Sequence, residues 1–151
     1  MIKYKLSENE LVQITNEIEK NLLDKANRLK FTYNTNWKEN FPEAAGVYAA
    51  FENSELIYIG QTSELRSRMS DIRRTYNHTL RKKIGKREFK GVLIKNKFSE
   101  EIEEKLTQYM VENISFSYQE ISFGRLEVES LLVKNNKNKK LLNANSVRGL
   151  K

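Results

Sequence analysis

The chain has 151 residues, a hydrophobic content of 38%, no cysteine and a single histidine. A chain of this length suits one compact domain, and its composition excludes disulfide frameworks, thiolate zinc sites, cysteine nucleophiles and a histidine-rich metal cage. The formal net charge of +7 favours an anionic partner, and the lack of a leader-like or membrane-spanning apolar run leads us to expect a cytoplasmic protein.

The first predicted element is an amphipathic helix over about 8–29. Ser7 and Glu10 form a capping-box pattern, and apolar residues then recur at steps of three or four. Residues 30–44, with the only proline and the only tryptophan, predict an irregular connection. We expect 1–44 to pack on a main domain that covers 45–151. An apolar stripe of this kind is typical of a helix face that is buried within its own chain. The alternative is that this face forms the contact of a dimer.

The pattern then alternates between strands and helices, which predicts an α/β or α+β domain with one sheet covered by helices. Expected strands are 45–52, 56–62, 89–95 and 114–122, and expected helices are 64–76, 79–85 (stopped by Gly85), 99–113 and 124–134. After a lysine- and asparagine-rich tract, the segment LLNAN at 141–145 is expected to dock back on the domain.

Positive charge is concentrated in one fifth of the chain. Residues 61–90 contain ten basic and three acidic groups, a net +7, whereas the other residues contain 17 of each sign and cancel. A localised excess favours a phosphate backbone as partner, because a solubilising surface usually mixes the signs. The alternative is a solvated basic pair of helices.

Two tyrosines lie in the predicted hairpin between the first two strands of 45–62. A three-residue turn, Asn53 to Glu55, would pair Tyr48 with Gly60 and Ala50 with Tyr58, so that both tyrosines share one face. The other face would then carry Val47, Phe51, Ile57 and Ile59. A two-residue turn would separate the tyrosines, and a simple packing pair is the alternative to a functional one.

The tripeptides GVY at 46–48 and YIG at 58–60, followed by QTSELRSRM, resemble the GIY-YIG nuclease superfamily. The resemblance covers about 45–145 and implies a small central mixed or antiparallel sheet flanked by helices. The strand and helix predicted within 87–113 would be an insertion into that core. The resemblance also implies an active site, whose residues here are Tyr48, Tyr58, Arg68 and Glu129. Gly60 would lie beside the substrate, and Asn143 would tie the C-terminal segment to the site or contact the phosphate of the substrate.

Other polar residues fit this resemblance less closely. The position one helical turn beyond Arg68, often histidine in the family, is Ile72. The only histidine, His78, lies near the start of the next helix, where some members also place one. It is either a proton donor or phosphate contact, or a surface residue at a helix start. We expect Arg66, Arg73 and Arg74 to contact phosphate or to remain solvated.

The helical pattern supports Glu129 independently of the resemblance. At 100° per residue, Glu129 falls inside the apolar arc of the helix 124–134, whereas Glu127 is grouped with Ser130 on the polar side. An inward carboxylate costs several kcal/mol unless a cation or hydrogen bonds compensate it. Glu129 therefore needs a partner, either a metal ion or an arginine such as Arg125 or Arg68.

The resulting expectation is a DNA endonuclease that hydrolyses phosphodiester bonds with one divalent metal, Mg²⁺ or Mn²⁺, held by Glu129. Arg68 would bind the phosphate, and one tyrosine, made more acidic by nearby cations, would deprotonate water. The alternatives are a nuclease acting on RNA, a non-catalytic nucleic-acid-binding protein with the same fold, and an assembly module. The sequence also allows a homodimer that forms through the N-terminal helix or through residues 87–113.

Overall fold

The computed structural model describes residues 7–143, which form an antiparallel sheet with helices on both faces. The four strands lie in the order β1-β4-β2-β3, and their bounds are β1 Leu29–Lys30, β2 Gly46–Glu52, β3 Glu55–Thr62 and β4 Ile114–Glu120. The helices are α1 Glu8–Leu23, α2 Leu65–Asp71, α3 Thr79–Phe89, α4 Glu100–Asn113 and α5 Arg125–Asn135. The predicted α+β class with an N-terminal helix is confirmed. Within 7–143, none of these helices has the length and apolar character needed to cross a bilayer.

Helix α1 begins as predicted and ends earlier. Ser7 Oγ accepts a hydrogen bond from the amide of Glu10 at 3.1 Å, which completes the capping box. The helix ends at Leu23 rather than 29, because Asp24 is extended and its carboxylate accepts a bond from Ala26 N at 2.9 Å. An aspartate that bonds the following backbone competes with helix continuation. Residues 29–30 instead pair with β4 as an edge strand.

The two faces of the sheet bury different apolar clusters. One face packs against α1 and α5, and the buried residues of this cluster are Ile18, Leu22, Val47, Ala49, Phe51, Leu56, Ile59, Ile121, Val128 and Leu132. The other packs against α2, α3, α4 and the 30–44 connection, whose Phe31, Trp37 and Phe41 are fully buried beside Tyr48. The apolar stripe of α1 is thus covered within the chain.

The hairpin has the predicted pairing at the tyrosines but a different turn. Glu52 pairs with Glu55 across a two-residue turn in which Asn53 has φ +59°, and a β-bulge between Ala50 and Phe51 then shifts the register. Beyond the bulge Ala50 pairs with Tyr58, and Tyr48 pairs with Gly60. A bulge places one extra residue on one strand, so the expected face of Ile57 is wrong: it lies with the tyrosines.

Three predictions in the middle of the chain are wrong. Helix α3 continues through Gly85 to Phe89, because Gly85 makes room for the ring of Phe98, which a Cβ would overlap. The strand expected at 89–95 is absent: residues 90–98 form a loop that carries one isolated bridge, Ile94 to Lys97. Val92 and Ile94 are each 74% exposed, so their alternation reflects no sheet neighbour. Helix α2 is also shorter than predicted, ending at Asp71.

Candidate active site

Tyr48 and Tyr58 lie side by side on the face covered by α2 and α3. Their ring centroids are 6.1 Å apart and the ring planes differ by 29°. Tyr48 is buried, whereas Tyr58 is half-buried and packs at the margin of the same cluster. Gly60 allows this arrangement, since a Cβ at that position would overlap Cζ and Oη of Tyr48. The glycine and the two tyrosines of the hairpin therefore form one packing unit.

Arg68 connects the hairpin to the segment that follows α2. It lies in the last turn of α2 and is half-buried. Its Nε donates to Tyr48 Oη at 3.4 Å, and its Nη1 donates to the carbonyl of Asn77 at 2.8 Å. The second bond holds the guanidinium in place, because a carbonyl acceptor on the α2–α3 connection fixes one branch of the planar fork. The structure thus places Arg68 directly at the tyrosine pair.

Burial determines the protonation state of Tyr48. Loss of solvation raises the pKa of this phenol above its usual value, the charges of Tyr58 and Glu129 raise it further, and Arg68 lowers it by charge and hydrogen bond. Because burial outweighs Arg68, Tyr48 is a neutral phenol at neutral pH. The increase in acidity that nearby cations were expected to give one of the two tyrosines is therefore not found at Tyr48.

His78 is fully buried at the N-cap position of α3, so the surface alternative for this residue is wrong. Its ring centroid lies 6.2 Å from that of Tyr48, and neither ring nitrogen has a hydrogen-bond partner among residues 7–143. Burial lowers the pKa of His78 well below its usual value, and the charges of Arg68 and Arg81 lower it further. His78 is therefore a neutral imidazole that offers one N–H donor beside the tyrosine pair.

Glu129 approaches the tyrosines from α5. It is half-buried while Glu127 is exposed, and its charge is close enough to raise the pKa of Tyr48. The helical pattern at 100° per residue gave wrong predictions elsewhere on α5, since Leu126 is 41% exposed and Ser130 is buried. Helix α5 packs against both α1 and the sheet. Its buried surface is therefore wider than the predicted apolar arc and is rotated relative to that arc. At its first turn, Arg125 Nε donates to Gln61 Oε1 of β3 at 2.8 Å.

The donor set around Glu129 bears on the expected metal ion. In the part of the chain that the structure describes, three or more histidine, aspartate and glutamate side chains nowhere gather as a metal cage would require. Mg²⁺ commonly keeps several waters and binds through one or two carboxylates together with substrate phosphates. The half-buried carboxylate of Glu129, electrostatically coupled to Tyr48, is one ligand of the type that such a site uses, and substrate and water would have to supply the others.

The remaining predicted site residues lie outside the tyrosine pair. Arg66 is held against the 41–43 segment, because it donates to Phe41 O at 2.9 Å and to Glu43 Oε1 at 2.6 Å. Arg73 and Arg74 line a separate cleft of about 610 Å³. Asn143 ties the end of the described chain to β3: Oδ1 accepts from Ile59 N at 3.0 Å, and Nδ2 donates to Ile59 O at 2.5 Å. The last two residues of LLNAN lie outside the described residues.

A buried ion pair behind the site was missed by sequence reasoning. Arg81 was counted with the basic cluster, yet it is only 2% exposed and pairs with Glu103 at 3.1 Å. It also donates to Thr75 Oγ1 at 3.0 Å and to Thr107 Oγ1 at 2.8 Å. Arg81 therefore joins α3, α4 and the α2–α3 connection rather than offering a charge to a ligand. Arg87 is likewise engaged, with Glu52 and Glu88.

Comparison of the chain with protein-family models, with curated proteins and with solved structures gives no match.

Proposed function

We propose that the protein is a metal-dependent endonuclease of the GIY-YIG type that hydrolyses phosphodiester bonds in DNA. The observation that carries the proposal is the convergence of Tyr48, Tyr58 and Arg68, with Glu129 electrostatically coupled to Tyr48. These four residues come from four elements and from positions up to 81 apart in the chain, 129 minus 48. Packing alone does not require an arginine and a carboxylate at a tyrosine pair, whereas phosphate hydrolysis makes use of a cation that stabilises the developing charge and of a carboxylate that holds a metal ion.

Each residue has a distinct part in the proposed reaction. Arg68 binds the phosphate through the part of its planar fork that faces away from Asn77. Tyr48 Oη accepts a bond from Arg68 and keeps its own proton, so it donates that proton as a hydrogen bond to a phosphate oxygen or to the attacking water. Tyr58, the more exposed phenol, is left as the tyrosine that takes the proton from water. His78 lends a neutral N–H donor behind Tyr48.

Glu129 is the residue that would hold Mg²⁺ or Mn²⁺. When bound there, the cation supplies Lewis-acid stabilisation of the phosphate and of the leaving oxygen. The negative charge of Glu129 raises the pKa of Tyr48, so a cation placed beside the carboxylate would offset that effect without ionising the phenol by itself. The same residues serve an RNA substrate equally well in principle; we name DNA because the resembling family cleaves it.

Cleavage of a supercoiled plasmid tests the proposal against the non-catalytic alternative. With Mg²⁺ or Mn²⁺ present, we expect conversion to the open circular form, because one site of this kind cuts one strand. EDTA should stop the conversion, and readdition of Mg²⁺ should restore it. Duplex, flapped and single-stranded DNA and an RNA of the same sequence are assayed in parallel. If none of these substrates is cut with either metal, the enzymatic proposal fails.

The pH dependence of cleavage tests the protonation state of Tyr48. The pKa of Tyr48 is raised above the ordinary phenol value of about 10, so its proton stays bound between pH 6 and 9 and its titration adds no slope there. A rise of rate with pH in that window must then come from a group other than Tyr48. In single-turnover assays Tyr48→Phe should therefore lower the rate by the same factor at every pH from 6 to 9. A rise that disappears in Tyr48→Phe would show that Tyr48 itself loses its proton in the reaction.

A further inference from the structure

A cleft of about 610 Å³ lies between the α2–α3 connection and α4. Its lining includes Tyr33, Arg73, Arg74, Lys97, Glu104 and Gln108. The volume falls in the range of about 300–1,000 Å³ that small-molecule sites occupy. This cleft is large enough to hold one nucleotide.

The cleft and the candidate active site share a wall. Thr75 lines the cleft, whereas Asn77, two residues further on, accepts the bond from Arg68, and His78 packs beside Tyr48. Arg81 forms the base of this wall, and its guanidinium is engaged by Thr75, Glu103 and Thr107. The segment 75–78 therefore lines the cleft at one end and contacts the candidate active site at the other.

The lining of the cleft combines different kinds of chemistry. Arg73, Arg74 and Lys97 bring positive charge to it, while Glu104 and Gln108 on α4 present carboxylate and amide oxygens. Tyr33 is 53% exposed, so its ring is accessible for stacking. Cations suit a phosphate, acceptor oxygens suit the amino groups of a base edge, and an open aromatic ring suits a base plane. This combination fits a single unpaired nucleotide better than a paired backbone, which offers phosphates alone.

The 90–98 loop stands next to the cleft, into which its Lys97 extends. It presents Val92 and Ile94, each 74% exposed, among three exposed lysines at 90, 95 and 97, and it contains no acidic residue. Apolar side chains surrounded by cations are the composition of wedges that contact base steps of DNA.

Packing and backbone hydrogen bonds fix the loop at two places. Phe98 packs where a Cβ at Gly85 or Gly91 would overlap it. Ile94 and Lys97 exchange backbone hydrogen bonds at 2.8 and 3.1 Å across a turn of two residues with positive φ. The exposed pair is therefore preorganised, which lowers the entropic cost of contacting a ligand.

We propose that the cleft holds an unpaired nucleotide next to the scissile phosphate and that the 90–98 loop abuts the end of the adjoining duplex. The protein thereby selects DNA in which paired and unpaired strands meet, such as a flap or a branch. This inference rests on the proposed function, since the adjacent site is taken as the nuclease centre. Tyr33 is the stacking residue, and Arg73 and Arg74 bind the phosphate of the held nucleotide.

Equilibrium binding tests the inference without cleavage. Full-length Glu129→Gln protein in EDTA is titrated, by fluorescence anisotropy, onto a labelled duplex and onto the same duplex with a three-nucleotide flap. We expect tighter binding to the flap. Adding Tyr33→Leu should weaken flap binding about tenfold while changing duplex binding little, and Tyr33→Trp should retain the preference. Val12→Ser, which alters an exposed apolar residue on α1, is the matched control and should change neither.

Two outcomes overturn the inference: equal affinity for the two DNAs, or an equal loss on both when Tyr33 becomes leucine. Thermal melting of each variant separates these results from loss of folding. Plasmid cleavage by the unmodified protein, run in parallel, separates the two proposals. Cleavage without a flap preference would contradict the proposed role of the cleft and support the proposed nuclease activity. A Tyr33-dependent flap preference without cleavage would contradict the nuclease activity and support nucleotide binding in the cleft.

Discussion

Replacing Arg68 with alanine is expected to slow DNA cleavage by about 10²- to 10³-fold, the range found when one preorganised donor to a developing charge is removed. Arg68 Nε donates to Tyr48 Oη at 3.4 Å, and the second bond of Arg68, to Asn77 O, holds the guanidinium in position before substrate arrives. The variant loses both the phosphate contact and the charge that lowers the pKa of Tyr48. Single-turnover rates on a short labelled duplex measure the loss.

Two further substitutions test why Arg68 matters. Arg68→Lys keeps the charge but not the planar fork, so we expect a rate between those of the wild type and Arg68→Ala. Arg66→Ala removes a positive charge from the same helix, but that side chain is engaged with Phe41 and Glu43, so its effect should be much smaller. Equal rates for Arg66→Ala and Arg68→Ala would show that only the charge of α2 matters. Melting curves for each variant exclude unfolding as the cause.

Changing Glu129 to glutamine is expected to reduce cleavage by at least about a hundredfold, because the amide keeps the shape but loses the charge that attracts Mg²⁺. The Mg²⁺ concentration needed for half-maximal rate should rise in the same variant. Glu129 is half-buried and electrostatically coupled to Tyr48, so the substitution also removes one influence that raises the pKa of that phenol. A Mg²⁺ titration of the cleavage rate measures both effects.

Glu127→Gln is the matched control for this experiment. It makes the same chemical change two residues away on α5, at an exposed position. We expect wild-type rates and an unchanged Mg²⁺ requirement. If Glu127→Gln and Glu129→Gln behave alike, Glu129 is not the residue that holds the metal, and the proposed mechanism loses its cation.

Short-range patterns predicted most of the fold. Capping at Ser7 and the pairing of Tyr48 with Gly60 follow from local chemistry, and both are confirmed. The pairing is nevertheless reached differently, because a bulge at Ile57 compensates for a turn that is one residue shorter. A hydrophobic pattern does not reveal a bulge, because the extra residue of a bulge need not be of any distinctive residue type. The same limit explains Ile57, which was placed on the wrong face.

Long-range packing explains what the sequence did not predict. Gly85 was taken as a helix stop, but its purpose depends on Phe98, which lies 13 residues further on and packs against it. Arg81 was counted as a surface charge because the residues next to it in the sequence do not indicate that it forms an ion pair with Glu103. The burial of His78 and the raised pKa of Tyr48 likewise depend on which helices cover the hairpin. These properties belong to the assembled core.

The bonds of Asn143 also affect how this sheet meets other molecules. Strand β3 is an outer strand, and outer strands with free amide and carbonyl groups recruit strands from other chains and promote aggregation. Asn143 occupies both polar groups of Ile59, and Leu142 N donates to Ile57 O at 2.6 Å. The end of the described chain thus shields the exposed margin of the sheet. Ile59 lies between Tyr58 and Gly60. The bonds from Asn143 therefore also stabilise the backbone that positions these two residues.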